Sequence, residues 1–204
     1  MPFAVLAEAA LQPCGWLAAY LGSALLSSED LYFRNLDGHG TVHKEVRRDA
    51  GTLTQRARLL KASQAGGMIL QEFQMEILAG AERVYSGKTG FGFFPAQALA
   101  TQVGIRGAKL AETKGHGFAL PTEPPGVARG LALPSRGFSV IDRIDAPDLE
   151  RGFIAGTKTV DPAEWFFRAH FFQDPVMPGS LGLEALQQLL LVFARERFGK
   201  LLTT

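Results

Sequence analysis

Residues 161–184 decide the fold and read DPAEWFFRAHFFQDPVMPGSLGLE. They place one histidine, His170, among aromatic residues, and a Pro-Gly step then opens an apolar helix that carries Glu184. A neutral imidazole can accept a proton near neutral pH, and a helix N-terminus offers backbone N–H groups to a developing negative charge. A base, a helix N-terminus and a carboxylic acid within fifteen residues are what proton abstraction next to a carbonyl requires.

The chain before this stretch has the pattern of a helix followed by an antiparallel sheet. Residues 4–26 carry Ala, Leu and Trp at helical spacing, and residues 31–94 change to a strand pattern. Within the latter, residues 41–48 alternate weakly, and the extended runs 52–62 and 68–78 flank a Gly-Gly turn, which is a hairpin signal. Including residues 83–94, we expect three or four long antiparallel strands after one helix.

The remainder of the chain is divided by a change of composition. Residues 95–135 are rich in Gly, Pro and Ala, which predicts a linker or a long surface loop. Strand patterns return at residues 138–144 and 152–160, and an apolar helix is predicted at 178–198.

The two predicted helices resemble each other in sequence. Residues 1–12 align with residues 177–188 at a constant offset of 176, with Met, Pro, Glu, Ala and Gln in register. Glu and Gln are four residues apart in both copies and so share one helical face. The alternative is a chance match between two amphipathic helices. Because polar residues match as well as apolar ones, we interpret the pair as an internal repeat. The chain is then expected to begin at the helix of a first unit and to end after the helix of a second.

Composition narrows the class of protein. Lys and Arg total 21 against 20 Asp and Glu, so no strong field attracts nucleic acid or an anionic membrane. The lone cysteine, Cys14, excludes an internal disulfide framework and fits a reducing compartment. The apolar N-terminus lacks the basic region of a signal peptide, and no segment has the length of a membrane span. We therefore expect a cytoplasmic protein.

Residues 161–188 resemble the active-site segment of the bacterial 3-hydroxyacyl-[acyl carrier protein] dehydratases, in the 3-hydroxydecanoyl dehydratase/isomerase branch. The resemblance implies an α+β hotdog fold, an antiparallel sheet wrapped around a central helix. With the repeat, it implies a tandem of two incomplete hotdogs, residues 1–94 and 136–204, joined by the linker 95–135. Such tandems are similar to the dehydratase region of polyunsaturated fatty acid and polyketide-type synthases.

By this resemblance, His170 is the base, Gly179 provides the amide that polarises the thioester oxygen, Glu184 is the helix acid and Gln188 orients it. Two departures are that Glu184 stands where the family has aspartate and that Ser180 replaces a cysteine.

The family pairs the histidine of one hotdog with the acid of the other. The partner acid of His170 in this chain is therefore expected to be Glu8, supported by Gln12. In the first repeat Phe3 occupies the position of Gly179, so that repeat is expected to support a site without forming one. We also expect a histidine loop before Met1 and further strands after Thr204.

The substrate-binding residues implied by the resemblance are Phe171, Phe172, Pro178 and Ser180. His170 is expected to face a narrow apolar tunnel lined by phenylalanines, although an isolated histidine among phenylalanines is also compatible with a packed core side chain. Asp174, before a proline, is interpreted as a turn former.

The implied activity is dehydration of 3-hydroxyacyl thioesters to trans-2-enoyl thioesters in fatty acid or polyketide-type biosynthesis. The substrate would be carried on the phosphopantetheine arm of an acyl carrier protein, and no metal or other cofactor is expected. Expected partners are this carrier, neighbouring synthase domains and a second hotdog in a pseudo-dimer or homodimer. The alternatives are a non-catalytic acyl-binding or structural module and a hotdog thioesterase.

Overall fold

The computed structural model describes residues 1–102, 106–107, 118–119, 127–128, 131–132, 138–171 and 173–199. The chain forms two compact units, Met1–Arg106 and Gly107–Thr204. The boundary falls inside the predicted linker 95–135, much of which lies outside the described residues. The assignment of the chain to two incomplete hotdogs stays a prediction.

The first unit is a helix packed on one antiparallel sheet. Its elements are helix α1 (Phe3–Tyr20), a 3-10 turn (Ser23–Leu26), strands β1 (Leu31–Val42), β2 (Leu53–Ala65), β3 (Met68–Ala79) and β4 (Glu82–Pro95), and a short helix α2 (Ala96–Ala100). The sheet order is β1-β4-β3-β2, and every neighbouring pair is antiparallel. The predicted helix followed by antiparallel strands is therefore present, in the α+β class.

Every second side chain of β3 points to one face of the sheet, and this face forms the core of the unit. Ile69, Phe73, Met75 and Ile77 are buried on one face, as a period of two requires. Helix α1 lies on β2, β3 and β4 and contributes to the same core through Leu6, Ala10, Cys14 and Ala18. A fully buried large apolar side chain stabilises by about 1.5–3 kcal/mol, so this face holds the unit together.

The turn between β2 and β3 was predicted correctly. Gly66 and Gly67 have φ values of 57° and 77°, as a two-residue type I′ hairpin needs. The weak alternation at residues 41–48 was interpreted wrongly as a strand, because β1 ends at Val42. Val46 is buried in the core, and its carbonyl oxygen accepts a hydrogen bond from the Met1 amino group at 2.6 Å. An apolar residue stands at position 46 because it packs in the core, and not because the segment is a strand.

Gly87 lies at a close approach between β4 and β1. It pairs with Gly40, and a Cβ atom at Gly87 would lie 2.4 Å from the carbonyl oxygen of His39. Gly87→Ala is therefore expected to lower the free energy of unfolding by about 1–3 kcal/mol, measured by chemical denaturation. Gly15→Ala, in α1 with ordinary contacts at 3.6 Å, should be neutral or stabilising. Equal stability of the Gly87 variant and the parent would contradict this close packing.

The second unit has short strands and one long helix. Strand β8 (Arg143–Ile144) pairs with β5 (Phe118–Ala119) and β9 (Gly156–Thr157), and β6 (Val127–Ala128) pairs with β7 (Leu131–Ala132). Helices α3 (Trp165–Ala169) and α4 (Gly179–Phe198) follow. Two clusters form the core, one of Ile141, Ile144 and Val192 with Ile154, Ala185 and Leu189, and one of Val140, Phe166 and Leu181 with Phe167, Met177 and Ala185.

The strands expected at 138–144 and 152–160 are much shorter than predicted, and α3 was not predicted. Aspartate side chains take backbone donors that a longer ladder would use: Asp142 Oδ2 accepts from Thr159 N at 2.6 Å, and Asp148 Oδ1 accepts from Arg151 N at 2.9 Å. Such local bonds compete with sheet pairing. Pro147 also has no N–H to donate.

Helices α1 and α4 begin at positions that correspond under the offset of 176. Each starts directly after a proline, Pro2 or Pro178. Glu8 and Glu184 are consequently both the sixth residue of their helices. The glutamate of the first repeat thus lies in a helix, as the repeat hypothesis requires.

Candidate active site

His170 directly follows α3 and is held by two hydrogen bonds. Its backbone N–H donates to Phe166 O at 2.8 Å, and its Nδ1 lies 2.7 Å from Val176 O. Because a carbonyl oxygen can only accept, Nδ1 must carry the proton. Of the two tautomers of a neutral imidazole, this contact selects the one in which Nε2 is the proton acceptor.

The loop after His170 is tightly wound. Phe171 stacks on the imidazole with ring centres 4.0 Å apart and an angle of 25° between the planes. Phe171 and Gln173 have φ values of 61° and 56°, and non-glycine residues in this region each cost about 1–3 kcal/mol. The predicted contact residue Phe172 lies outside the described residues, so the apolar tunnel stays a prediction.

Gly179 is the first residue of α4 and follows the buried Pro178. The first N–H groups of a helix have no partner within the helix and carry its positive dipole end. Gly179 is exposed, and a Cβ atom here would meet no described atom within 4 Å. Packing among the described residues therefore does not require glycine at position 179. Close approach of a ligand to the backbone N–H would favour glycine there, because glycine has no Cβ atom. Ser180, the next predicted contact residue, is buried.

Glu184 and Gln188 form a buried pair on α4. Their exposed fractions are 5% and 1%. Gln188 Nε2 donates to Glu184 Oε1 at 3.0 Å and to Phe138 O at 2.9 Å. The second bond ties the amide to the backbone before β8, so Gln188 holds the carboxylate in one orientation. The role in catalysis that the resemblance implies for Gln188 stays a prediction.

Glu8 and Gln12 differ from that pair. Both lie on α1, in the first unit, where Glu8 is half-buried and Gln12 is exposed. The structure brings together His170 with Phe171, and Glu184 with Gln188. The pairing of Glu8 with His170 concerns residues of different units and stays a prediction.

A charge cluster that the sequence did not reveal lies beside α3. Lys158 Nζ contacts Asp142 Oδ1 at 3.2 Å and also Glu164 Oε1. Burial alone would lower the pKa of Lys158, but hydrogen bonds to Glu164 and Asp142 outweigh this and raise it. For Asp142, burial acts to raise the pKa, but hydrogen bonds from Thr159 and Lys158 lower it below its usual value. Glu164 directly precedes α3, so the cluster fixes the start of the helix that His170 follows.

Lys158→Met is expected to lower the free energy of unfolding by about 1–2 kcal/mol at neutral pH, because it leaves two carboxylates without their cation. The raised pKa of Lys158 means that its contribution is complete below about pH 10 and is lost as the pH rises through the folded value. The lowered pKa of Asp142 means that its contribution is present above about pH 4 and is lost in acid. Denaturation across this pH range measures both effects.

Arg56→Met, which removes one of the two arginines bound to Glu76, is a control for loss of an exposed cation. Its effect should be well under 1 kcal/mol. A Lys158 variant with an unchanged pH–stability profile would contradict a stabilising role for the charge cluster.

Among the described residues, no group of three or more His, Cys, Asp or Glu side chains could hold a metal ion. Within the same part of the chain, none of the helices has both the length and the apolar character to cross a membrane.

Residues 133–203 match the model of the FabA-like domain family. The chain is 30% identical to a subunit of the polyunsaturated fatty acid synthase of Thraustochytrium sp., in an alignment of 215 residues that covers 93% of this chain and 14% of that protein. Among solved structures, a SecB-like chaperone of Mycobacterium tuberculosis, in complex with a peptide from an antitoxin, is 15% identical, with a TM-score of 0.26 over 36% of this chain and 59% of that chain.

The comparisons confirm the resemblance inferred from residues 161–188. The chain resembles a segment of the polyunsaturated fatty acid synthase protein, of whose length it spans about one seventh. The FabA-like match, with the antiparallel sheet and its helices, fits an α+β hotdog fold.

Proposed function

We propose that this chain contributes a dehydratase site to fatty-acid-type synthesis, where it converts a 3-hydroxyacyl thioester into the trans-2-enoyl thioester and water. The observation that carries the proposal is the hydrogen bond from His170 Nδ1–H to Val176 O. It fixes the tautomer in which Nε2 accepts a proton. The FabA-like match over residues 133–203, which include His170, supports the reaction class.

The reaction requires a base, an acid and a donor to the thioester oxygen. His170 Nε2 takes a proton from C2, and the electron pair moves toward the thioester carbonyl. The N–H of Gly179 donates to that oxygen, assisted by the N-terminal dipole of α4. The pair then forms the C2=C3 double bond as the C3–O bond breaks, and a carboxylic acid gives its proton to the departing hydroxyl, which leaves as water.

The identity of that acid follows from the family pairing. We assign it to Glu8, from the other repeat, with Gln12 behind it. Glu184, fixed by Gln188, would serve a histidine from a neighbouring unit in the same way. This assignment requires a pseudo-dimer or homodimer of hotdogs.

The substrate is proposed to be carried on the phosphopantetheine arm of an acyl carrier protein in the cytoplasm, next to other synthase domains. Phe171, Phe172, Pro178 and Ser180 would contact the acyl chain and its thioester. Burying the chain contributes about 0.8 kcal/mol per CH₂ group, which favours an apolar channel near His170.

A non-catalytic acyl-binding module is the second candidate. The observation that favours it is Phe3, which begins α1 where Gly179 begins α4. The first repeat therefore has a bulky side chain at the position where glycine would let a ligand approach the amide closely. A thioesterase is a third possibility within the same fold, but the His-to-Pro-Gly sequence resembles the dehydratases.

These functions are separated by incubating the protein with a 3-hydroxyacyl thioester of acyl carrier protein in deuterated water. Mass spectrometry of the thioester detects loss of water and also exchange of the C2 proton, which reports the base even where elimination is slow. We expect both with the parent protein. Release of free acid would indicate a thioesterase, and retention of the unchanged thioester with saturable binding would indicate an acyl-binding module.

A further inference from the structure

Helix α3 is too short to hold its own position. It runs only from Trp165 to Ala169, and isolated helices of this length are not stable in water. Its packing against the core is made by Phe166 and by the neighbouring Phe167. Two adjacent rings hold the helix at one place along its axis, so further contacts must decide how it is inclined and where it ends.

One such contact is made just before the helix begins. Within this described part of the chain, the carboxylate of Glu164 makes no capping hydrogen bond to the N–H groups of α3, and it accepts one from Lys158. Lys158 Nζ also donates to Asp142 Oδ1 at 3.2 Å. Because the side chains of Lys158 and Glu164 are only 20% and 23% exposed, this charge-assisted contact is stronger than an ion pair on the surface.

The other side of this contact is fixed to the short strands. Asp142 N donates to Thr157 O at 2.9 Å, and Asp142 Oδ2 accepts from Thr159 N at 2.6 Å. Lys158 lies between these two partners in the sequence, directly after β9. Its ammonium group therefore links the start of α3 to the β8–β9 pair.

The position of His170 depends on where α3 ends. Its backbone N–H donates to Phe166 O, so its Cα follows the helix, and its Nδ1 must then reach Val176 O, 2.7 Å away. The loop between them contains Phe171 and Gln173 with positive φ values. Residues in this conformation persist only where the surrounding structure holds them. A shift of α3 would therefore let the loop relax and would break the bond to Val176.

We propose that Lys158 is a positioning residue for the His170 base. Through Glu164 it holds α3 at the inclination in which Nδ1–H reaches Val176 O, and it thereby keeps Nε2 as the proton acceptor. Lys158 acts at the opposite end of α3 from His170. The consequence for the reaction rate rests on the proposed function, whereas the effect on the imidazole ring can be measured without turnover.

The ring is observed in protein labelled with ¹⁵N at histidine. Long-range proton–nitrogen spectra above about pH 8, where an ordinary imidazole is neutral, distinguish a protonated ring nitrogen from a bare one. The spectrum of His170→Asn identifies the signals of His170. We expect the Nδ1–H form in the parent protein. Lys158→Met and Glu164→Ala should each shift the ring toward the Nε2–H form, because Val176 O no longer selects the tautomer.

Initial rates with the 3-hydroxyacyl thioester give a second measurement. Lys158→Met and Glu164→Ala should lower kcat roughly 10–100-fold with little change in KM, because only the base is misplaced. Glu164→Gln keeps an oxygen that can accept from Lys158, so it should retain most of the rate and the Nδ1–H form. Val192→Ala deletes buried methyl groups in the cluster of Ile141 and Ile144. It is the control for lost stability and should change neither.

The ring spectra decide the proposal. An unchanged tautomer in Lys158→Met and Glu164→Ala would overturn it whatever their rates, and Glu164→Ala decides alone if Lys158→Met does not fold. The same tautomer change in Val192→Ala would also overturn it, because loss of stability would then be a sufficient cause. A tautomer change specific to the Lys158 and Glu164 variants, in a protein that dehydrates no thioester, would support the positioning of the ring and refute the proposed function.

Discussion

His170→Ala is expected to lower the rate of dehydration about 10²–10⁴-fold, the usual contribution of a positioned general base. The physical reason is the tautomer fixed by Val176 O, which leaves Nε2 as the proton acceptor. Deuterium exchange at C2 of the thioester should fall by the same factor, because proton removal is the step that the imidazole performs.

His170→Asn separates catalysis from loop structure. Its side-chain amide can still donate to Val176 O, as Nδ1–H does, but it has no basic nitrogen. This variant should lose activity as His170→Ala does while it keeps more of the parent's stability. His39→Ala, at an exposed histidine in β1, should change neither. Substantial activity in both His170 variants would contradict the assignment of this residue as the base.

Glu8→Gln is expected to suppress activity at the His170 site by a comparable factor, about 10²–10⁴-fold, because the amide cannot give a proton to the departing hydroxyl. Glu184→Gln should spare that site. The reason is the family pairing between the histidine of one hotdog and the acid of the other, together with the equivalent positions of Glu8 and Glu184 on their helices. Initial rates with the same acyl carrier protein thioester measure both.

The two glutamine variants are matched in size and position in the helix, so each is the control of the other. Their folding is compared by circular dichroism, because Glu184 is buried against Gln188 and its loss could affect stability. The reverse pattern, with Glu184→Gln inactive and Glu8→Gln active, would show that the site is assembled within one unit.

The regular elements of the first unit could be predicted from local signals. The extended runs 68–78 and 83–94 predicted β3 and β4, and the Gly66–Gly67 pair predicted the hairpin. The prolines before Phe3 and Gly179 stand at the observed helix starts. These patterns depend on residues only a few positions apart. The Glu184–Gln188 contact could be anticipated for the same reason, since an i,i+4 spacing brings side chains together on any helix.

Contacts between distant residues needed the tertiary structure. Lys158 meets Asp142 sixteen positions away, and Gln188 reaches Phe138 fifty positions away; no periodicity encodes either distance. Near β8 and β9, the carboxylates of Asp142 and Asp148 accept hydrogen bonds from backbone N–H groups. These bonds compete with strand pairing, and the strand pattern of the sequence does not show them. Helices α1 and α4, although similar in sequence, also bury different positions: Gln12 and Trp16 are exposed, whereas Gln188 and Val192, at the offset of 176, are buried. Sequence determined what each helix is, and packing decided which of its faces is covered.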